Sequence, residues 1–316
     1  MSTIEETAQA PAISTPAVAE RRAPWRFRIS ENWWRHLIAI GAVVVSLFPV
    51  AYIISAAFNA DQSLTGSALI PRRVALHNFG LILHGSKSAA EATFASVHYV
   101  RWYVNTLLIA TGTAILTVLL GSLAAYAFSR FRFRGRRLAM LFLLLIQMFP
   151  QLLAIVAIYL IVLRTGEVIS TIGLNTLIGL MIVYLGGALG VNVWLLKGFF
   201  DTIPSELDES ARVDGATSAQ VFWGVILPLA APVLSVVALF SFISTLNEFA
   251  IASALLQTKD KFTLPLGLRG YIDQQYGQHW GPFAAGVLMA AIPAIIIFRF
   301  LQRYVVAGLT QGSVKG

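Results

Sequence analysis

Residues 204–216 read Pro204-Ser205-Glu206-Leu207-Asp208-Glu209-Ser210-Ala211-Arg212-Val213-Asp214-Gly215-Ala216, an acid-rich insert in a chain that is otherwise strongly apolar. Apolar stretches flank it at 174–196 and 231–256, each long enough to cross a bilayer. The insert as a whole extends over about 199–232, and its first half is too polar to stay in lipid. It must therefore lie across one face of a helical bundle. Acids crowd its first turn, where the helix dipole favours them, and Ser205 with Asp208 three residues on offers a capping pattern. Gly215 breaks the helix as a C-terminal cap residue would. Thr217 and Gln220 repeat the capping-box spacing ahead of Val221-Phe222-Trp223-Gly224-Val225-Ile226-Leu227, and Pro228 is expected to stop that helix. The sequence predicts two short helices meeting at Gly215.

Composition agrees with a membrane setting. The 316 residues are 57% hydrophobic and 12% charged, with mean hydropathy +0.73, against about a quarter charged in soluble domains. Six stretches, 37–58, 103–128, 138–163, 174–196, 231–256 and 282–306, meet the need for roughly 20 mainly apolar residues per span. Pro49, Pro150 and Pro293 within them are tolerated because neighbouring helices satisfy the freed backbone groups. The first stretch is longer than a secretory h-region of about 7–15 residues, so it reads as an uncleaved first helix. A net charge of +8 and a pI near 10.0 would suit nucleic acid. The basic residues are instead split among short segments between apolar runs, so no nucleic-acid partner is expected.

With the N-terminus inside, 15 of the 23 Lys and Arg residues fall on the cytoplasmic side and eight outside. The positive-inside rule then places both termini in the cytoplasm of a multi-pass membrane protein. Trp25, Trp33, Trp34 and Trp102 are expected at the membrane edges. The domain plan is a tail at 1–36, a first helix at 37–58, an external loop at 59–102 with Gly85-Ser86-Lys87-Ser88 at its tip, a core of five transmembrane helices at 103–306 and a tail at 307–316.

Two readings of the insert compete. An interfacial amphipathic anchor explains Phe222, Trp223 and Ile226, but anionic headgroups would repel Glu206, Asp208, Glu209 and Asp214. Docking into a basic groove on a soluble partner accounts for both halves. The loop 129–137 reads as a stop-transfer charge cluster facing membrane lipid. Glu248, beside Asn247, is the acidic residue assigned inside a span, at a cost of about 3 kcal/mol on insertion scales. It is either a gate or translocation-path residue or a buried hydrogen-bonding group. Gly186-Gly187-Ala188-Leu189-Gly190 has small-x-x-x-small spacing and reads as helix packing.

No cysteine is present, which excludes disulfides and thiolate chemistry. The five histidines (His36, His77, His84, His98, His279) lack metal-ligand spacing and read as surface groups. No G-x-x-x-x-G-K-[ST], H-E-x-x-H or G-x-S-x-G element occurs, so no catalytic residue, metal or cofactor of the chain's own is expected.

Glu209-Ser210-Ala211-Arg212-Val213-Asp214-Gly215-Ala216, followed by Phe222, Ile226, Pro228 and Pro232, resembles the EAA loop of ABC importer permeases, with Ser210 departing from that pattern's Ala. The loop 128–137, Asn247-Glu248-Phe249, Trp280-Gly281-Pro282-Phe283-Ala284-Ala285-Gly286 and the ending 308–316 are similar to the MalG-type permeases of the carbohydrate branch, over roughly 103–316. The resemblance implies an all-α integral membrane protein of type I ABC importer permease architecture, with six transmembrane helices and a cytoplasmic coupling-helix (EAA) loop. It implies that Glu209, Ser210, Ala211, Asp214, Gly215, Ala216 and Phe222 couple to a homodimeric ABC ATPase, which carries the ATP and Mg. Leu309, Thr310, Gly312 and Lys315 of the tail would reach toward that ATPase. Gln274, Gln275, Tyr276 and Trp280 would face an extracytoplasmic sugar-binding protein, and a MalF-like second permease would complete the pathway. Asn247 and Glu248 stand as candidate path or gate residues. The expected cargo is a maltose-like or other oligosaccharide, with trehalose or a polyol as alternatives. A self-contained secondary transporter would need more intramembrane ionisable groups or an inverted repeat, and a membrane enzyme would need a catalytic constellation.

Overall fold

The computed structural model describes residues 29–59, 73–85, 98–273 and 279–311. Among these the chain is helical, and its extended pairing is limited to an isolated antiparallel bridge between Asn59 and Val74. Two compact units separate at Phe48/Pro49. The first holds the front of α1 (Ile29–Phe58), where the Arg35 guanidinium lies 5.2 Å over the Trp34 ring and the side chains from Trp33 on are exposed.

The second unit carries α2 (His77–His84), α3 (Tyr99–Arg130), α4 (Arg136–Met148), α5 (Gln151–Val168), α6 (Leu177–Phe200) and α7 (Ser205–Val213). It continues with α8 (Ser218–Leu229), α9 (Ala231–Asn247), α10 (Ala250–Leu255), α11 (Leu264–Arg269) and α12 (Trp280–Gln311). Helix α3 is the hub, packed along α6 and α9. Its buried stripe is built from small residues, Ala110, Thr113, Ala114, Thr117, Gly121, Ser122 and Ala125, which let helices approach closely where lipid supplies no hydrophobic drive. A Cβ on Gly121 would sit 3.3 Å from Leu196 of α6.

Among the described residues five helices are long and apolar enough to cross a membrane, and α9 with α8, bent by 78° from it, makes a broken sixth. Two expected spans are interrupted. The stretch 138–163 breaks at Phe149-Pro150: Phe149 is extended (φ −76°, ψ 127°) and Pro150 begins α5. The proline ring disfavours helical backbone at the residue before it, leaving α4 with 13 residues and α5 with 18. The stretch 231–256 ends its first helix at Asn247, with Glu248 extended (φ −71°, ψ 129°) before α10. Glu248 therefore sits at a helix break and not inside a continuous span.

Pro228 does not stop its helix. The turn before it is a π-helix, Phe222–Ile226, in which the Leu227 N–H reaches Phe222 O. That wider turn removes the clash a proline makes with the carbonyl four residues back, and the chain runs on to Leu229 before bending.

Trp102, expected at a membrane edge, is covered by protein rather than exposed there. It is buried, and its indole donates to the Lys259 carbonyl at 2.6 Å. Asn105 donates to the carbonyls of Asp260 and Phe262 at 2.9 and 3.0 Å, and Thr106 accepts from the Leu264 amide at 2.7 Å. His98, expected at the surface, approaches Asp260 at 3.1 Å. These contacts seat the 259–269 segment on the first turns of α3, and Gly267 is what lets it close, since a Cβ there would meet the Trp102 ring at 2.2 Å. Gly267→Ala is expected to overpack this contact at a cost of about 1–3 kcal/mol, read as a lower thermal midpoint in detergent with a red-shifted tryptophan emission.

Candidate functional site

The insert folds into α7 and the start of α8, joined by a tight turn. Pro204 is the N-cap residue of α7 and Ser205 is its first helical residue, so Ser205 makes no cap; the fixed φ of Pro204 (−56°) starts the helix instead. Its end is a Schellman motif. The Ala216 amide reaches Ala211 O at 2.9 Å and the Gly215 amide reaches Arg212 O at 3.0 Å, with Gly215 at φ +88°. The predicted capping box is present, with Thr217 Oγ1 accepting from the Gln220 amide at 3.3 Å and Gln220 Oε1 accepting from the Thr217 amide at 2.8 Å.

Beneath the segment lies an apolar core of Ala125 and Tyr126 (α3), Leu196 and Phe200 (α6), Val221, Phe222 and Ile226 (α8), and Val233 and Val237 (α9). Phe222 is 2% exposed and its ring lies 5.1 Å from that of Tyr126. It is an internal anchor and not a partner-facing residue, because the π-turn directs it inward. Tyr126 also donates to the Ser218 carbonyl at 3.4 Å.

The last residue of α3 makes the second tie. Arg130 Nε approaches Asp208 Oδ2 at 2.7 Å, its Nη2 donates to Ile203 O at 2.9 Å, and both charged side chains are close to fully buried. Asp208 thus leaves the acidic front edge assigned to it. The 2.7 Å approach is a charge contact without hydrogen-bond alignment, and Asp208 Oδ1 has no hydrogen-bond partner among the described residues. At the end of α6, burial alone would raise the Asp201 carboxyl, but hydrogen bonds from Lys197 and Ser129 and the charges of Lys197 and Arg136 hold it below the ordinary carboxylate value.

Outward on the segment lie Ser205, Glu206, Glu209, Ser210, Arg212, Asp214 and Gly215, with Ala211 and Ala216 half-buried against the core. Leu207 and Val213 join this face, Val213 at 88% exposure. Val213 carried no sequence signal of its own. The pattern that could have found it is an apolar residue placed on the polar side of a short acidic helix.

A separate cleft of ≈ 1360 Å³ opens between α4, α5, α6, α9 and α10. Polar groups from four of these elements line it: Gln147, Gln151, Asn192, Ser241, Ser244 and Thr245, with Tyr184 and Glu248. Glu248 accepts from the Tyr184 hydroxyl, from the Ile251 amide at 2.7 Å and from the Ala252 amide at 3.1 Å. It both lines the cleft and caps α10. Asn247 bonds back to the Ile243 carbonyl at 2.9 Å and does not line the cleft.

In the Gly186–Gly190 element, Gly190 is where the Gln147 side chain lies, with its Nε2 donating to Gly187 O at 3.1 Å; Gly186 and Gly187 face open space. Trp280 starts α12 beside Phe283. Gln274, Gln275, Tyr276, Gly312 and Lys315 lie outside the described residues, as do the side chains of Leu309 and Thr310.

Removing the Asp208 carboxylate would leave Arg130 buried and uncompensated. Asp208→Ala is expected to cost of order 3 kcal/mol and to open 201–217 to limited proteolysis. Restoring an acid as Asp208→Glu should recover protection that Asp208→Asn does not.

A sequence profile of the binding-protein-dependent transport system inner membrane component matches residues 117–311. The MalG permease of a maltose/maltodextrin transport system in Escherichia coli (strain K12) is 39% identical over 283 residues, 89% of this chain and 95% of its own. The GanQ permease of a galactooligosaccharides transport system in Bacillus subtilis (strain 168) is 37% identical over 280 residues, 89% and 94% of the two chains. Among solved structures, a chain of a bacterial ABC transporter involved in import of the acidic polysaccharide alginate superposes with a TM-score of 0.71 at 24% identity, over 86% of this chain and 95% of that one, a likeness of fold. A helical membrane bundle interrupted by a capped, core-anchored segment, matched over these lengths, places this chain in the family of binding-protein-dependent transport system inner membrane components, as a transport subunit and not an enzyme.

Proposed function

We propose that this chain is one permease subunit of an ATP-driven oligosaccharide importer in a bacterial inner membrane, with both termini in the cytoplasm. The observation that carries the reading is the exposed part of the segment, where Glu206, Glu209 and Asp214 outnumber the single cation Arg212 and Val213 and Leu207 protrude, on a base fixed by Arg130 and Phe222. Such a face suits a basic, partly apolar cleft on a soluble ATPase, with Glu209 pairing a cation there and ATP and Mg held by that partner. Movement of the docked segment passes to α3 as a rigid body. The relatives' transport of maltose/maltodextrin and galactooligosaccharides supports an oligosaccharide as cargo. The cleft lined by Tyr184, Asn192, Ser241 and Glu248 supplies hydroxyl- and amide-bearing walls for one half of a sugar path, which a MalF-like second permease would close. An extracytoplasmic sugar-binding protein would deliver the cargo to the opposite face, where Trp280 and the 274–276 stretch belong, and 309–315 would reach back toward the ATPase.

Reconstitution tests this. Liposomes holding the chain with its second permease, ATPase and binding protein should take up maltooligosaccharides only with ATP. Uptake by this chain alone without ATP would sink the importer-subunit reading. Gly215→Pro removes the amide that closes the Schellman turn and should abolish coupled transport, either by releasing the ATPase or by leaving ATP hydrolysis uncoupled. Glu248→Gln replaces one of two accepting oxygens by a donor and leaves at least one of the Tyr184, Ile251 and Ala252 donors unpaired, at about 1–3 kcal/mol. Uptake should fall while assembly persists, and wild-type uptake would count against a path role.

A further inference from the structure

At the Arg136 end of α4 a second cavity, of ≈ 520 Å³, is wedged between α4 and α6 and lined by Phe133, Gly135, Arg136, Arg137, Leu138, Met140, Trp194 and Lys197. We propose that this wedge binds the head group of one anionic glycerophospholipid, its phosphate held by Arg136, Arg137 and Lys197 and its first acyl carbons laid against Trp194 and Leu138.

Two side-chain clamps hold α4 antiparallel to α6. The Trp194 indole donates to Met140 O at 3.2 Å, and Gln147 Nε2 donates to Gly187 O at 3.1 Å, about two turns further along α4. The cavity is therefore built from fixed walls rather than from loop side chains alone. Its charge is unbalanced. Lys197 pairs with Asp201, whose carboxyl Lys197, Ser129 and Arg136 together hold below the ordinary value, so one carboxylate faces the three cations Arg136, Arg137 and Lys197. The first turn of α4 adds partial positive charge, since Gly135 (φ +87°) precedes it and no side chain caps it.

The apolar part of the wall selects a lipid over a free anion. Trp194 and Leu138 are exposed, and Leu138, Leu141 and Leu145 run in one exposed row along α4. A soluble phosphate would leave this row uncovered, whereas an acyl chain covers it as the head group fills the wedge. Basic pockets between spanning helices are a recurrent setting for anionic head groups, and a tryptophan at the rim matches the interface.

The test is native mass spectrometry of the full-length chain extracted from membranes of defined phosphatidylcholine and phosphatidylglycerol. The wild-type chain should retain phosphatidylglycerol at least about tenfold over phosphatidylcholine, and Arg136→Gln/Arg137→Gln should lose that preference. Arg132→Gln/Arg134→Gln, an equal charge change in the same loop, should keep it. Equal loss in both double variants would reduce the effect to bulk charge and overturn the site. Displacement by excess inorganic phosphate would overturn the lipid assignment. A second measurement needs no charge variant: brominated phosphatidylglycerol should quench a share of tryptophan emission that Trp194→Phe removes. Equal quenching by brominated phosphatidylcholine would also overturn the proposal.

Discussion

A bilayer offers a peptide group no hydrogen-bond partner, so each point where this chain leaves a helix needs its own source of hydrogen bonds. Glu248 shows the rule most directly. The backbone extends at that residue, and its carboxylate then accepts from the amides of Ile251 and Ala252 in the helix that follows. Asn175, at φ 57°, accepts from the amides of Gln257 and Thr258 at 3.0 and 3.1 Å and so ties the α5–α6 connection to the end of α10. Thr176 accepts from the Gly179 amide at the start of α6. Outside the bundle, the Schellman turn at Gly215 and the box at Thr217 satisfy the helix ends by local means, and the π-turn carries the helix past Pro228.

The breaks fall on the outward segment and on the wall of the cleft, where a continuous helix would have no spare polar groups to offer. Helix α3 is the uninterrupted reference against which they are set. Its small-residue stripe brings α6 and α9 close, its first turns seat the 259–269 segment, and Tyr126 and Arg130 in its last turns grip the outward segment by both halves. Burying Arg130 and Asp208 together carries a desolvation cost that their attraction and the Ile203 carbonyl must offset. Such a pair contributes position more than stability. It ties α7 to α3, which is distant in sequence, as well as to the adjoining α6.

Residue patterns that act over three or four positions were legible. The acid-loaded first turn of α7, the turn at Gly215 and the Thr217/Gln220 box follow from local backbone chemistry, and the structure has each of them. The helical class and the approximate number of spans follow from hydropathy and bilayer thickness. Local reading failed where a residue's surroundings come from elsewhere in the chain. Pro150 and Pro228 look alike in sequence, yet one separates two helices and the other is absorbed by a π-turn. Trp102 reads as an exposed aromatic in sequence, yet the 259–269 segment covers it. Asp208 and Glu209 are adjacent acids with opposite fates, because a helix turns about 100° per residue and Arg130 waits on one side only.

The sequence by itself determined that this chain crosses a membrane, that an acid-rich capped segment leaves the bundle, and where that segment turns. Those properties depend on transfer free energies and on hydrogen bonds between near neighbours, which a linear string records. Tertiary structure alone decided which acids and aromatics of that segment face outward, that Glu248 caps a helix at a cleft, and that Arg136, Arg137 and Lys197 share a cavity with Trp194. Each of these depends on which groups from distant positions come within a few ångströms, and helix packing fixes that distance.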